Sequence, residues 1–137
     1  MTRIILAGLV AGLGMAVAMA IGEKVGLVRI NLPRIDGQFF FKDRFTGNVI
    51  YFLGLIIHAA TSIGFAIGYL IFARFFPLNL GWIASGLLWA VILWVAFGVT
   101  VSPMTGYGLF GSKAGKWVWL ELLVTHCVYG LTLTSLL

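Results

Sequence analysis

Residues 81–101 read GWIASGLLWAVILWVAFGVTV, a run of 21 residues without a charged side chain. A helix of this length rises about 30 Å at 1.5 Å per residue, which matches the thickness of the hydrocarbon core of a bilayer. The stretch therefore predicts a membrane-spanning helix.

Apolar runs of similar length lie on both sides of this segment. They predict three further spans, at residues 4–22, 48–72 and 116–137. Of the 137 residues, 61% are hydrophobic and only 9% are charged, and the mean hydropathy of +1.09 exceeds what the surface of a soluble domain tolerates. The predicted fold class is an all-α integral membrane protein, a single domain (1–137) of four transmembrane helices in an up-down-up-down bundle.

The nine Lys and Arg residues, which give the chain its net charge of +5, lie almost entirely between the apolar runs. Seven follow the first and third spans, whereas Arg3 and Arg74 lie elsewhere. The positive-inside rule then predicts that loops 23–47 and 102–115 are cytoplasmic and that both termini lie outside. The expected partner is the lipid bilayer, and nucleic-acid binding is not expected.

Small residues recur every four positions in the first two spans and predict close helix packing, because association in lipid depends on contact between helices. We expect the set in the second span to face the set in the first. The residues concerned are Gly8, Gly12, Ala16 and Ala20 in the first span, and Ala60, Gly64 and Gly68 in the second.

The second and fourth spans share a pattern. His58 follows Gly47 by eleven residues and His126 follows Gly115 by the same interval, with further matches between them. More weakly, residues 11–13 resemble residues 85–87. The pattern favours a parallel repeat of two helices, although unrelated apolar helices share residues by chance.

Three ionisable residues fall within the predicted spans, and polar groups at that depth are functional candidates by default. His58 and His126 lie at nearly equal depth on helices expected to be diagonal, an arrangement that suits haem b held between two imidazoles. The alternative is that each histidine hydrogen-bonds to a hydroxyl or carbonyl of a neighbouring helix. The two histidines are therefore the candidate cofactor-binding residues, and no other metal site is predicted.

Glu121 is the third ionisable residue. Five positions from His126, it points to another side of the helix, so the two do not form an acid–base pair. It either pairs with Lys113, Lys116 or a neighbouring hydroxyl, or it forms a proton or ion site. Trp89 and Trp94 lie deeper than the other tryptophans and are expected to face lipid or another subunit.

Three segments resemble a group of small, uncharacterised prokaryotic four-span membrane proteins. They are residues 86–95, residues 102–110 and the closing HCVYG at residues 126–130. The resemblance covers roughly the C-terminal half and implies a multi-pass protein of the prokaryotic cytoplasmic (inner) membrane. It carries no catalytic residues.

Three functions follow as hypotheses. The first is a non-catalytic accessory or structural subunit of a larger, energy-transducing membrane complex, since the chain offers little aqueous domain and many residues for lateral contact with other subunits. The second is a haem b-binding electron-transfer protein with bis-histidine ligation. The third is a small channel or transporter that forms a homo-oligomer, with Glu121 and the histidines lining a path between protomers.

Overall fold

The computed structural model describes residues 1–27, 29–77 and 80–137, apart from the side chain of Asp43. This part of the chain is all-helical and contains no strand. Leu78 and Asn79, in the predicted turn between the second and third spans, lie outside the described residues. The α-helices are α1 (Thr2–Lys24), α2 (Leu32–Phe41), α3 (Gly47–Phe75), α4 (Trp82–Val99), α5 (Val101–Met104) and α6 (Val118–Ser135), and 3-10 turns cover Lys42–Arg44 and Leu109–Gly111.

Four of these helical stretches are long and apolar enough to cross a membrane, which confirms the predicted number. They are α1, α3, the continuous stretch Trp82–Met104 formed by α4 and α5, and α6. The boundaries differ by a few residues from those predicted: α3 extends to Phe75, and α6 begins at Val118. The segment 23–47, predicted as a loop between the first two spans, contains a further helix, α2.

The long helices pack in an open ring. Helix α1 lies against α3 and α6, and α4 lies against α6, whereas α2 covers one side of α3. Helices α3 and α4 meet through aromatic side chains, with the ring of Trp89 5.8 Å from Tyr69 and 5.6 Å from Phe72 between centroids. Beyond that cluster a cavity separates α3 from α4.

Trp89 itself corrects a prediction. It was expected to face lipid or another subunit, but it is buried, with 7% of its surface exposed. Gly68 on α3 explains the difference, because its position is where the Trp89 ring packs. Trp94 is partly buried, and its Nε1 donates a hydrogen bond to the carbonyl of Trp119 at 3.0 Å.

The two helix pairs of the predicted repeat touch at equivalent positions. A Cβ atom built on Gly12 would lie 2.6 Å from Cβ of Ser62, and one built on Gly86 would lie 2.8 Å from the carbonyl oxygen of Gly130. Gly12 matches Gly86 in the alignment of the two halves, and Ser62 and Gly130 each lie four residues beyond a histidine. Each pair therefore has a close contact one helical turn beyond its histidine.

The face of α3 that meets α1 differs from the expected one. Gly8 lies against Ala66 and the carbonyl of Ser62, whereas a Cβ on Gly64 would meet nothing within 4 Å. Gly64 follows Ser62 by two residues, about 200° around the helix. Residue size suggested the stripe through Gly64, but the buried stripe of α3 runs through Ile50, Gly54, His58, Ser62 and Ala66.

Candidate functional site

Helix α2 begins with a sequence-encoded cap. The side chain of Asn31 accepts a hydrogen bond from the backbone N–H of Arg34 at 3.1 Å, and Pro33 occupies the first turn. Both features favour a helix start, because the cap satisfies a free N–H and proline needs none there. The cap is held in turn by Glu23 at the end of α1, whose carboxylate accepts from Asn31 Nδ2 at 3.0 Å.

Two glycines let α2 approach α3 backbone to backbone. A Cβ atom on Gly54 would overlap the carbonyl oxygen of Pro33, and one on Gly37 would overlap the carbonyl oxygen of Ile50. Only residues without a side chain permit this separation. Gly54 precedes His58 by one helical turn, so the contact brings α2 alongside the first histidine.

The close approach places Asp36 of α2 against His58 of α3. A carboxylate oxygen of Asp36 lies 2.9 Å from His58 Nδ1. His58 is buried, with 7% of its surface exposed, and its other ring nitrogen, Nε2, is buried without a hydrogen-bond partner among the described residues. An orphaned polar atom of this kind is rare and calls for an explanation.

His126 has a different partner, on its own helix. Its Nδ1 lies 2.6 Å from the carbonyl oxygen of Leu122, one turn earlier, and 5% of the residue is exposed. The ring of Phe97 on α4 packs beside it, with centroids 5.7 Å apart. Because Nδ1 is committed to the helix, Nε2 is the nitrogen that remains for other partners.

A cross-helix hydrogen bond ties α6 to α3 next to both histidines. The hydroxyl of Tyr129 donates to the carbonyl of Ser62 at 2.6 Å. Tyr129 lies three residues beyond His126, and Ser62 lies four beyond His58. The bond therefore fixes the two helices relative to each other about one turn from each imidazole.

Both histidines line one cavity of about 160 Å³, enclosed by all four long helices and α2. The cavity reaches the protein surface where Phe40 and Phe65, which are 56% and 45% exposed, form part of its wall. The polar residues of its lining are Asp36, His58, Thr61, Ser62, His126 and Tyr129, and the rest are the apolar residues Met15, Leu32, Phe39, Phe40, Phe65, Leu93, Phe97 and Val101.

Glu121 lies apart from this cavity. It occupies the first turn of α6, and its carboxylate accepts a hydrogen bond from the backbone N–H of Arg29 at 2.9 Å. The expected partners were Lys113, Lys116 or a hydroxyl. The structure gives it a main-chain donor instead, because the segment after α1 folds back over the start of α6. Glu121 lines a separate groove between these two helices.

Asp36 is the site residue that sequence reasoning missed. The cap of Asn31 and Pro33 is a visible signal for a short helix within the polar segment. Nothing local in the sequence indicates that this helix lies beside His58, which is 22 residues away along the chain.

Comparison of the chain with models of known protein families, with curated protein sequences and with solved structures finds no match. Within the described ranges, no group of three or more His, Cys, Asp or Glu side chains is placed to hold a metal ion. The polar groups of the cavity are the two histidines, Asp36 and the hydroxyls beside them.

Proposed function

We propose that this chain is a multi-pass membrane protein that binds a small amphiphilic molecule in the cavity at His58. The observation that carries the proposal is the buried, unpartnered Nε2 of His58 beside an otherwise largely apolar space. A polar atom without a partner costs roughly 1–3 kcal/mol when buried. A ligand whose polar group forms a hydrogen bond to Nε2 removes this penalty, which would favour binding.

The size of the cavity matches the ring of such a molecule. An engineered apolar cavity of about 150 Å³ in another protein binds benzene, and the present cavity measures about 160 Å³. The exposed rings of Phe40 and Phe65 line its mouth. An apolar tail attached to the bound ring would leave through this opening into lipid.

Asp36 gives His58 the properties of a positioned base. A carboxylate that accepts the Nδ1–H of an imidazole fixes the ring orientation and leaves Nε2 with its lone pair, an arrangement used at both metal sites and catalytic dyads. The pair can accept a hydrogen bond from the ligand. The carboxylate of Asp36 also stabilises the imidazolium that forms if the ligand transfers its proton to Nε2 of His58.

The test is to identify small molecules that co-purify with the protein. We expect organic extracts of the protein purified in mild detergent to contain a ring compound in near-equal molar amount by mass spectrometry. His58→Leu, which removes the polar partner, and Leu93→Trp, which fills the cavity, should each lower it at least tenfold. Gly64→Ala, outside the cavity, should leave it unchanged. Equal amounts in all four proteins would contradict the proposal.

The proposed topology is an up-down-up-down bundle in a prokaryotic inner membrane, with loops 23–47 and 102–115 cytoplasmic and the termini outside. It rests on the distribution of cations. In a Cys127→Ser background, a membrane-impermeant maleimide should label Thr2→Cys in intact cells and should label Ser112→Cys only after lysis. The opposite result would reverse the orientation.

Bis-histidine ligation of haem b is the second candidate, and one observation favours it. Each Nδ1 is held by an acceptor, so that each Nε2 is left for another partner, and both residues line the same cavity. Histidine ligands of metals have this pattern. The volume opposes it, because a porphyrin is several times larger than benzene. A reduced-minus-oxidised spectrum of the purified protein with haem bands that disappear in His58→Leu would establish haem as the ligand.

The other predicted roles concern association. Outward-facing large apolar side chains on all four long helices suit lateral contact with lipid or protein subunits, so an accessory role in an energy-transducing complex stays a prediction. Glu121 and the histidines line different cavities. This separation does not favour a channel path formed by all three.

A further inference from the structure

We infer that the ligand of this cavity is a quinol, a ring that carries two hydroxyl groups and an apolar tail. The inference rests on the proposed function and specifies the chemical class of the molecule. It follows from the hydrogen-bonding groups that the cavity leaves unused, which are acceptors.

Each hydroxyl group of the cavity wall already donates its hydrogen bond to a main-chain carbonyl. Thr61 Oγ1 and Ser62 Oγ both donate to the carbonyl of His58, at 3.0 and 2.6 Å. Tyr129 donates to the carbonyl of Ser62. A carbonyl oxygen cannot donate, so each of these hydroxyl hydrogens points to the main chain rather than into the cavity.

The protonation pattern of His126 is fixed by the same rule. Its Nδ1 lies against the carbonyl oxygen of Leu122, so Nδ1 must carry the hydrogen. In the neutral ring, Nε2 then carries a lone pair and accepts a hydrogen bond. His126 therefore offers the ligand an acceptor.

His58 reaches the same state through Asp36. The carboxylate accepts from Nδ1, so Nε2 of the neutral ring again carries the lone pair. The cavity thus presents two imidazole acceptors on helices that are tied together by the Tyr129–Ser62 hydrogen bond. A ligand that satisfies both acceptors must bring two donors.

A ring with two hydroxyl groups brings two donors, and the cavity of about 160 Å³ has the volume for a benzene-sized ring. An oxidised quinone has only carbonyl acceptors and leaves both nitrogens unpaired, as does a ring whose hydroxyls are methylated. The apolar wall and the mouth at Phe40 and Phe65 suit a ring with a lipid-like tail. A small soluble dihydroxy aromatic shares the ring chemistry but lacks the tail, and the experiment separates the two.

The probe is a 1,4-dihydroxybenzene with a decyl tail, kept reduced without oxygen and titrated against the purified full chain in detergent. It is compared with its bis-methyl ether and with its oxidised quinone. We expect the ether and the quinone to bind at least tenfold more weakly, since each leaves both imidazole acceptors unpaired, and Nε2 of His58 is buried. This comparison uses one unmodified protein, so no variant has to fold for it.

Variants assign the two hydrogen bonds. His58→Leu and His126→Leu should each weaken binding of the quinol probe about tenfold and should leave binding of the bis-methyl ether nearly unchanged. Gly64→Ala is the matched control and should bind the probe as the parent protein does. Tighter binding with the decyl tail than without it identifies a membrane quinol, whereas equal binding identifies a soluble dihydroxy aromatic.

Equal affinity for the quinol and its bis-methyl ether would overturn the inference. If no probe binds while the extracted compound is still lost in His58→Leu, the ligand belongs to another class and the proposed function stands. If no probe binds and the extracts contain no such compound, both fail.

Discussion

The pair α1–α3 and the pair α4–α6 resemble each other in packing and differ in chemistry. Each pair has a close contact one turn beyond a histidine, Gly12 with Ser62 in one and Gly86 with Gly130 in the other. Yet Nδ1 of His58 is hydrogen-bonded to a carboxylate on another helix, whereas Nδ1 of His126 is hydrogen-bonded to a carbonyl of its own helix. The shared pattern places both imidazoles, and among the described residues only His58 has a hydrogen-bond partner from another segment, α2.

The segments that follow α1 and α4 explain the difference. Helix α2 packs against α3 and brings Asp36 to His58. The segment after α4 folds on itself: the hydroxyl of buried Ser102 donates to the carbonyl of Gly108 at 2.6 Å and accepts from the N–H of Gly111 at 2.9 Å. Phe110 then packs on Gly98 of α4. No carboxylate from this segment contacts His126 in the described structure.

The largest expected effect comes from separating α2 from α3. Gly54→Ala places a methyl group on the carbonyl oxygen of Pro33, which belongs to the backbone and cannot turn aside. We expect a loss of about 3 kcal/mol in unfolding free energy, the upper end for overpacking. Gly64→Ala has open space and should change stability by less than about 0.5 kcal/mol. Similar thermal unfolding of the two variants in detergent would show that α2 is not docked as described.

Alanine at the equivalent glycines compares the two helix pairs directly. In Gly86→Ala the methyl group meets the carbonyl oxygen of Gly130 and Oγ1 of Thr134, whereas in Gly12→Ala it meets Oγ and Cβ of Ser62. Overpacking costs about 1–3 kcal/mol, and we expect both variants at the upper end of that range, because Cβ of Ser62 is fixed to its backbone and cannot rotate away any more than the carbonyl of Gly130 can. Thermal unfolding under identical conditions measures both. A large loss in only one variant would show that the two helix pairs do not pack alike.

A double-mutant cycle tests whether Asp36 serves one histidine only. Asp36→Ala and His58→Ala share one hydrogen bond, so their effects on unfolding free energy should be non-additive by about 1–2 kcal/mol. Asp36→Ala combined with His126→Ala should be additive within about 0.5 kcal/mol. Equal coupling to both histidines would show that the cavity acts as one network and would remove the distinction between the halves.

The smallest expected effect is at Glu121. Glu121→Gln keeps an oxygen that can accept from the Arg29 N–H and loses only its charge, so stability should fall by less than about 1 kcal/mol. Hydrogen exchange at the Arg29 amide should rise severalfold, while exchange around His58 should not change. Faster exchange at both places would link the Glu121 groove to the cavity.

Much of the helical framework could be predicted from the sequence, because span length and hydropathy depend on local composition. The four long helices could be predicted without knowing which helices pack beside them. The equal depth of His58 and His126 in the membrane stays a prediction from their equal offsets, and the two residues line one cavity. The buried face of each helix was harder to predict. Residue size suggested that Gly64 lies on the buried face of α3, but Ser62 and Ala66 are the residues buried there.

The partners of the polar groups could not be predicted. Asp36 reaches His58 only because Gly37 and Gly54 let two backbones meet, a contact between segments that are distant in sequence. Glu121 finds a backbone N–H rather than a lysine for the same kind of reason. Hydrogen bonds between segments that are distant in sequence produce no repeating residue pattern from which they could be predicted.

Nitrogen NMR tests most directly whether both histidines present an unprotonated Nε2 to the cavity. The chain has only two histidines, so protein labelled with ¹⁵N-histidine gives few signals, and His126→Gln assigns them. In mildly alkaline solution, both rings should show a protonated Nδ1 and an unprotonated Nε2. Addition of the decyl quinol should shift both Nε2 signals, and its bis-methyl ether should shift neither. A protonated Nε2 on either ring in the ligand-free protein would contradict the account.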